Sequence, residues 1–132
     1  MRSITKDIEI TIDGNRTGFR LTKLDAFSGV TLLRLLLRLE EYHPNPTMLD
    51  LIASLSEDEL RSVMTAVLNH AEVLLPAGPN PVMTGPEWGY PELEHDTPAC
   101  MRLLLEGVSW SLSGFFGGGG SKPQPAQSDT AP

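Results

Sequence analysis

Phe19-Arg20-Leu21-Thr22-Lys23-Leu24-Asp25-Ala26-Phe27-Ser28-Gly29-Val30-Thr31-Leu32-Leu33-Arg34-Leu35-Leu36-Leu37-Arg38-Leu39 decides the fold. Phe19 to Thr22 alternates apolar and polar residues, the period of a strand with one buried face. From Gly29 onward the period changes to that of a helix. Apolar residues at 26, 30, 33 and 37, and again at 32, 36 and 39, cover most of its circumference. Only the stripe Thr31, Arg34, Arg38, Glu41 is polar. A strand that runs straight into such a helix predicts an α+β chain, and a helix this apolar needs neighbours on more than one side.

Upstream, Ile8, Ile10 and Ile12 repeat every second residue and predict a first strand. Asp13-Gly14-Asn15 tolerates positive φ, so Thr17–Thr22 is expected to return as the second arm of a hairpin, with Gly18 marking a bulge. An isolated hairpin is marginal in water, and its apolar face is expected to pack on the helices that follow.

Downstream, Asp25 or Ser28 is positioned to cap the leucine-rich helix, which is expected to run to about Tyr42. There His43-Pro44-Asn45-Pro46 stops it. Thr47 caps a short helix through Ala53. Ser56-Glu57-Asp58-Glu59 is a capping box ahead of Leu60, Val63, Met64, Val67 and Leu68. Its three acids face the positive end of the helix dipole, contributing about 0.3–1 kcal/mol each where exposed. From Leu75 through Pro98 there are six prolines and three glycines, in pieces too short for a helix. Val82-Met83 reads as a short extended piece, and Trp88-Gly89-Tyr90 provides two aromatic anchors for the loop. Asp96-Thr97-Pro98 opens a last helix, Ala99 to Leu112.

Four helices and a hairpin make one domain over residues 1–116. The tail, 117–132, has no apolar residue larger than alanine and is expected to be disordered. At 132 residues a second catalytic domain does not fit. The net charge of −7 argues against a general nucleic-acid binder. It is unevenly spread: residues 1–38 hold seven basic and four acidic side chains, residues 39–132 three and thirteen. Cys100 is the only cysteine, so no intramolecular disulfide forms and a reducing cytoplasm fits. No signal peptide is evident at the amino terminus, and Arg34, Arg38, Arg102 and Glu106 interrupt the two most apolar segments, so no membrane span is expected.

Chemistry-bearing residues are sparse. His43, His70 and His95 lack the close pairing of a zinc site. Cys100 lies within an apolar helix, as an inert thiol would. Glu92, Glu94 and Asp96 flank His95, but solvation and helix capping account for them. Gly117–Gly120 has the composition of a phosphate loop without its lysine and following helix. No catalytic residue, metal or cofactor is therefore expected. What stands out is apolar surface in excess of one small core, in the Leu32–Leu39 helix, the Trp88 and Tyr90 loop, and the Trp110–Phe116 end. The candidate partner-binding residues are Leu24, Phe27, Leu32, Leu36, Trp88, Tyr90, Trp110, Phe115 and Phe116.

This order of segments resembles the small tail assembly chaperones of long, non-contractile-tailed bacteriophages. The likeness rests on the hairpin, on Phe19–Gly29 leading into a leucine-rich helix, and on the capped helix Ser56–His70. Trp88-Gly89-Tyr90 and Trp110-Ser111-Leu112-Ser113-Gly114-Phe115-Phe116 complete it, so that it covers residues 4–116. The resemblance implies binding of the long, aggregation-prone tape measure protein in the host cytoplasm and recruitment of tail tube protein subunits. It implies no enzymatic step and absence from the mature virion. It also suggests a longer form made by ribosomal frameshifting, for which the codons of Gly117–Gly120 are the candidate site; a plain linker is the other reading. A structural tail completion or connector protein, and an enzyme built on His95, are the competing expectations.

Overall fold

The computed structural model describes residues 4–113. β1 (Thr5–Ile12) and β2 (Asn15–Thr22) form the expected hairpin, in register from Thr5 opposite Thr22 to Ile12 opposite Asn15. The two turn residues, Asp13 and Gly14, have φ of 53° and 79°. Two positive φ values in succession match the twist of the flanking strands, which is why Asp-Gly is found there. The register is unbroken at Gly18, which pairs with Glu9, so the expected bulge is absent. Leu74 passes close by instead, 3.4 Å from where a Cβ would stand.

The sheet is larger than the sequence reading allowed. β3 (Ala71–Leu75) pairs antiparallel with β2, and β4 (Gly78–Pro81) with β3, giving the order β1-β2-β3-β4. Two prolines are tolerated in β4 because it is an edge strand, where alternate N–H groups have no ladder partner. A second, two-stranded sheet joins β5 (Met83–Thr84) to β6 (Glu87–Trp88). Asn69 ties this small hairpin down, accepting from the Gly85 N–H at 2.7 Å and donating to the Gly85 carbonyl at 3.0 Å.

Among the described residues there are five helices, of which the third and fifth contact the larger sheet. α1 (Ala26–Glu40) starts at Asp25, whose carboxylate accepts from the Ser28 N–H at 3.1 Å, and ends before Tyr42. α2 (Met48–Ala53) opens on a Thr47–Asp50 capping box, and α3 (Glu57–Leu68) on the expected Ser56–Glu59 box. The proline-rich stretch, expected to be free of helix, contains the single turn α4 (Pro91–Glu94). α5 (Thr97–Ser111) has Asp96 as its cap and proline in its first turn.

α5 is the wall shared by two apolar clusters. Ala99 and Leu103 face the sheet side, with Phe19, Leu21, Val73, Val82 and Leu93. Leu104, Val108 and Leu112 face the helical side, with Leu32, Leu36, Leu51, Ile52, Val63 and Val67. Fully burying each such side chain stabilises the fold by about 1.5–3 kcal/mol relative to exposure. Gly107 lets α5 approach α3 closely: a Cβ there would stand 2.4 Å from Val67 Cγ1. The protein is thus α+β, a four-stranded antiparallel sheet with its helices on one side of the shared wall and across it.

Candidate partner-binding groove

The helical layer leaves a groove between α1 and α3. Arg38 near the end of α1 pairs with Glu59 in the first turn of α3, so the two helices run antiparallel. The groove between them has a volume of about 340 Å³, and its apolar lining comes from Leu24, Phe27, Leu32, Leu35, Val63, Ala66 and Val67. Ser28, Thr31 and Ser62 place hydroxyls along it, and Asp58 and Glu59 stand at the α3 end. Thr31 Oγ1 donates to the Phe27 carbonyl at 2.9 Å, so that hydroxyl is internally occupied. Phe27 is 83% exposed, an unusual position for a phenyl ring.

Electrostatics at the groove follow from helix capping. The Ser56 N–H, then the Arg38 guanidinium, hold the Glu59 carboxyl below its usual range. At the opposite end the Ser28 N–H does the same for Asp25. Asp25 is exposed and Glu59 half-buried, and the chief effect of both is to order the helix starts that frame the groove.

The sequence-derived candidates are distributed unevenly around this site. Leu24 and Phe27 line the groove directly. The Leu24 N–H donates to Ser111 Oγ at 3.1 Å, which ties this wall to the end of α5. Leu32 and Leu36 are corrected from surface to core: they are 5% and 1% exposed, and only Leu32 reaches the groove, as part of its floor. Packing against α2, α3 and α5 consumes this face of α1, and the apolar surplus emerges instead at Phe27, Val30 and Leu37.

Trp88 and Tyr90 are pinned onto their own domain. Tyr90 meets Phe19 edge to face at 6.1 Å between centroids, and both rings pack on the sheet-side cluster. Trp88 also lines a second hollow, of about 400 Å³, on the other flank of α3, together with Leu60, Met64, Met83 and Pro86. Trp110 is held by three groups: its Nε1–H donates to the Ile4 carbonyl at 3.2 Å, and Lys23 and Lys6 lie 4.6 and 5.8 Å from its ring centroid. Phe115 and Phe116, with the whole of 117–132, lie outside the described residues.

Other chemistry-bearing side chains are occupied structurally. Asp96 caps α5 through the Ala99 N–H at 3.1 Å, while His95, Glu92 and Glu94 face solvent. His43 Nε2 meets Ser54 Oγ at 3.0 Å, and His70 Nδ1 meets the Ala66 carbonyl at 2.7 Å. Cys100 is half-buried, and burial followed by the Asp96 charge pushes its thiol up, away from the reactive thiolate. Among the described residues no three of His, Cys, Asp and Glu are grouped to hold a metal, and no helix is long and apolar enough to cross a membrane.

Sequence reading missed the α3 side of the groove. Val63 and Val67 were legible only as the apolar face of a capped helix, and no local signal says that α3 lies antiparallel to α1 with a gap between them. No family model matches the chain, and neither a curated protein nor a solved structure is significantly similar to it.

Proposed function

We propose that this protein is a phage tail assembly chaperone, which binds the tape measure protein in the host cytoplasm and helps recruit tail tube subunits around it. The observation that carries the reading is the open apolar groove between α1 and α3, with Phe27 exposed at its rim. An amphipathic helix is recognised by such grooves through contacts at helical spacing. A long helical client repeats that contact many times, so modest affinity per site suffices, and each copy is able to leave as the tube assembles. The acidic balance of the chain, −7 overall, keeps the complex soluble. The reading needs no catalytic step and no cofactor.

Co-expression with the tape measure protein of the same genome tests it. The client should be soluble with this chain and aggregate without it; equal solubility in its absence overturns the proposal. Mass spectrometry of purified particles provides the second measurement. A chaperone is absent from them, whereas a tail completion or connector protein is present at fixed copy number.

A further inference from the structure

The groove's two rims carry opposite charge. On the α3 rim stands Asp58; among the described residues it has no ion pair, while its neighbours Glu57 and Glu59 are paired with Arg61 and Arg38. Arg34, exposed and just outside the residues that line the groove, follows Phe27 by seven residues and therefore lies on the same edge of α1. It too has no ion pair among the described residues. Between the rims the floor is apolar, and the α3 wall from Asp58 to Val67 is about 15 Å long at ~1.5 Å per residue.

We propose that the groove holds one amphipathic helix of about three turns, whose apolar stripe is flanked by acidic residues on the side facing Arg34 and basic residues on the side facing Asp58. This rests on the chaperone reading and specifies the client segment that this site takes. The charge order also sets direction. Turning a helix end for end while keeping its apolar face down exchanges its flanks, so only one of the two antiparallel orientations matches both rims.

The probe is a fluorescein-labelled peptide of about 16 residues, long enough to become helical when bound, with leucines at helical spacing, lysines along one flank and glutamates along the other. Its anisotropy is read against the full chain, beside two peptides with the same leucine stripe and flanks of lysine only or glutamate only. The mixed peptide should bind about fivefold more tightly than either at low salt. Phe27→Ser should weaken it about tenfold without moving Tm, because an exposed ring holds nothing in the fold. Asp58→Lys or Arg34→Glu alone should remove the advantage of the mixed peptide, and the two together should restore it, with the peptide reversed.

Equal affinity of the three peptides overturns the proposal, as does unchanged binding by Phe27→Ser. A Phe27→Ser chain that light scattering shows to be smaller than wild type assigns the groove to a second copy and also overturns it. Tighter peptide binding after Phe115→Ser and Phe116→Ser assigns it to the chain's own end, with the same result. The underlying reading is judged separately. If Phe27→Ser keeps the tape measure protein as soluble as wild type does, the groove assignment falls and the chaperone reading stands; if wild type fails to keep it soluble, the chaperone reading itself falls.

Discussion

The two faces of α5 bury apolar side chains in different company. Toward the sheet, Leu103 meets Phe19, Val73, Val82 and Leu93, and all five are fully buried. Over that cluster the small β5–β6 hairpin and α4 close like a cover, with Trp88 and Tyr90 packed at its edge. Toward α1 and α3, Val108 and Leu104 are equally buried, but the cluster around them runs outward through Leu24, Leu35 and Phe27 into open groove. The sheet side leaves Trp88 and Met83 at the second hollow and Leu75 part-exposed; the helical side leaves Phe27, Val30 and Leu37 more open. A surplus greatest at Phe27 and the groove beside it separates the residues that hold the fold from those available to a partner.

Substitutions in the two layers break that comparison most sharply. Phe19→Ala, on the closed side, should cost about 3–5 kcal/mol, because a buried ring leaves a cavity that the sheet cannot collapse around. Phe27→Ala, on the open side, should stay within about 0.5 kcal/mol. Chemical denaturation with a constant m-value checks both. Comparable losses would show that Phe27 belongs to the core and that the groove is no surplus.

Gly89 tests the cover over the closed side. A Cβ at this position would stand 2.3 Å from the Pro81 carbonyl oxygen, a backbone atom that has no rotamer to escape into. The adjoining bonds, Gly89 N–H to the Val82 carbonyl at 2.8 Å and Asn80 Nδ2 to the Gly89 carbonyl at 2.9 Å, hold the strand ends together there. Gly89→Ala should therefore destabilise by about 1–3 kcal/mol, seen as a lower Tm, with peptide binding in the groove unchanged. Loss of groove binding in parallel with Tm would mean that the two layers are not separable.

These layers were unequally legible in sequence. The hairpin, the caps at Thr47 and Ser56, and the helix starts are local patterns and readable, while the caps Asp25 and Asp96 are each legible only as one of two neighbours, with Ser28 and Thr97. Ala71, Val73 and Leu75 alternate as plainly as Ile8 to Ile12, yet β3 went unassigned because it follows a helix and leads into prolines. β4 was hidden further, since Gly78-Pro79-Asn80-Pro81 reads as a breaker everywhere except at a sheet edge. The groove was half visible. Leu24 and Phe27 were candidates, but which leucines of α1 face inward depends on where α2, α3 and α5 lie, and helical period alone leaves several faces equivalent. Leu32 and Leu36 are candidates in the sequence for that reason, with the inward face of the helix left open.

A smaller effect sharpens the helical layer from its caps. Ser56→Ala removes the hydroxyl that accepts from the Glu59 N–H at 3.1 Å, and should cost about 1 kcal/mol by loosening the start of α3. Because Asp58 and Glu59 line the groove at that turn, affinity for the mixed peptide should fall with it. Ser56→Asp, which retains a capping acceptor, should restore both. Rescue of stability without rescue of binding would detach the α3 start from the site.

The smallest expected effect comes from acid. Asp25, Asp50 and Glu59 all lie at helix starts of the open layer, and the N–H groups of Ser28, Thr47 and Ser56 respectively lower their pKa values from 3.8, 3.8 and 4.5. On the sheet, Asp7 is lowered by its bond to Arg20, an exposed side-chain ion pair. A group whose folded pKa is depressed stabilises the fold fully above its unfolded pKa, and that contribution is lost as pH falls through the folded value. Stability should thus hold at neutral pH and decline below about pH 4.5. Salt divides the two sets: added salt weakens the Asp7–Arg20 pair, while bonds to backbone N–H groups at the caps are affected less. Amide exchange by NMR between about pH 5 and pH 3 should show the first turns of α1, α2 and α3 losing protection before the β1–β2 ladder, with the same order in high salt. Loss of both together, or of the hairpin first, would mean that the open layer is no looser than the closed one, and the contrast between the faces of α5 would fail where it is easiest to measure.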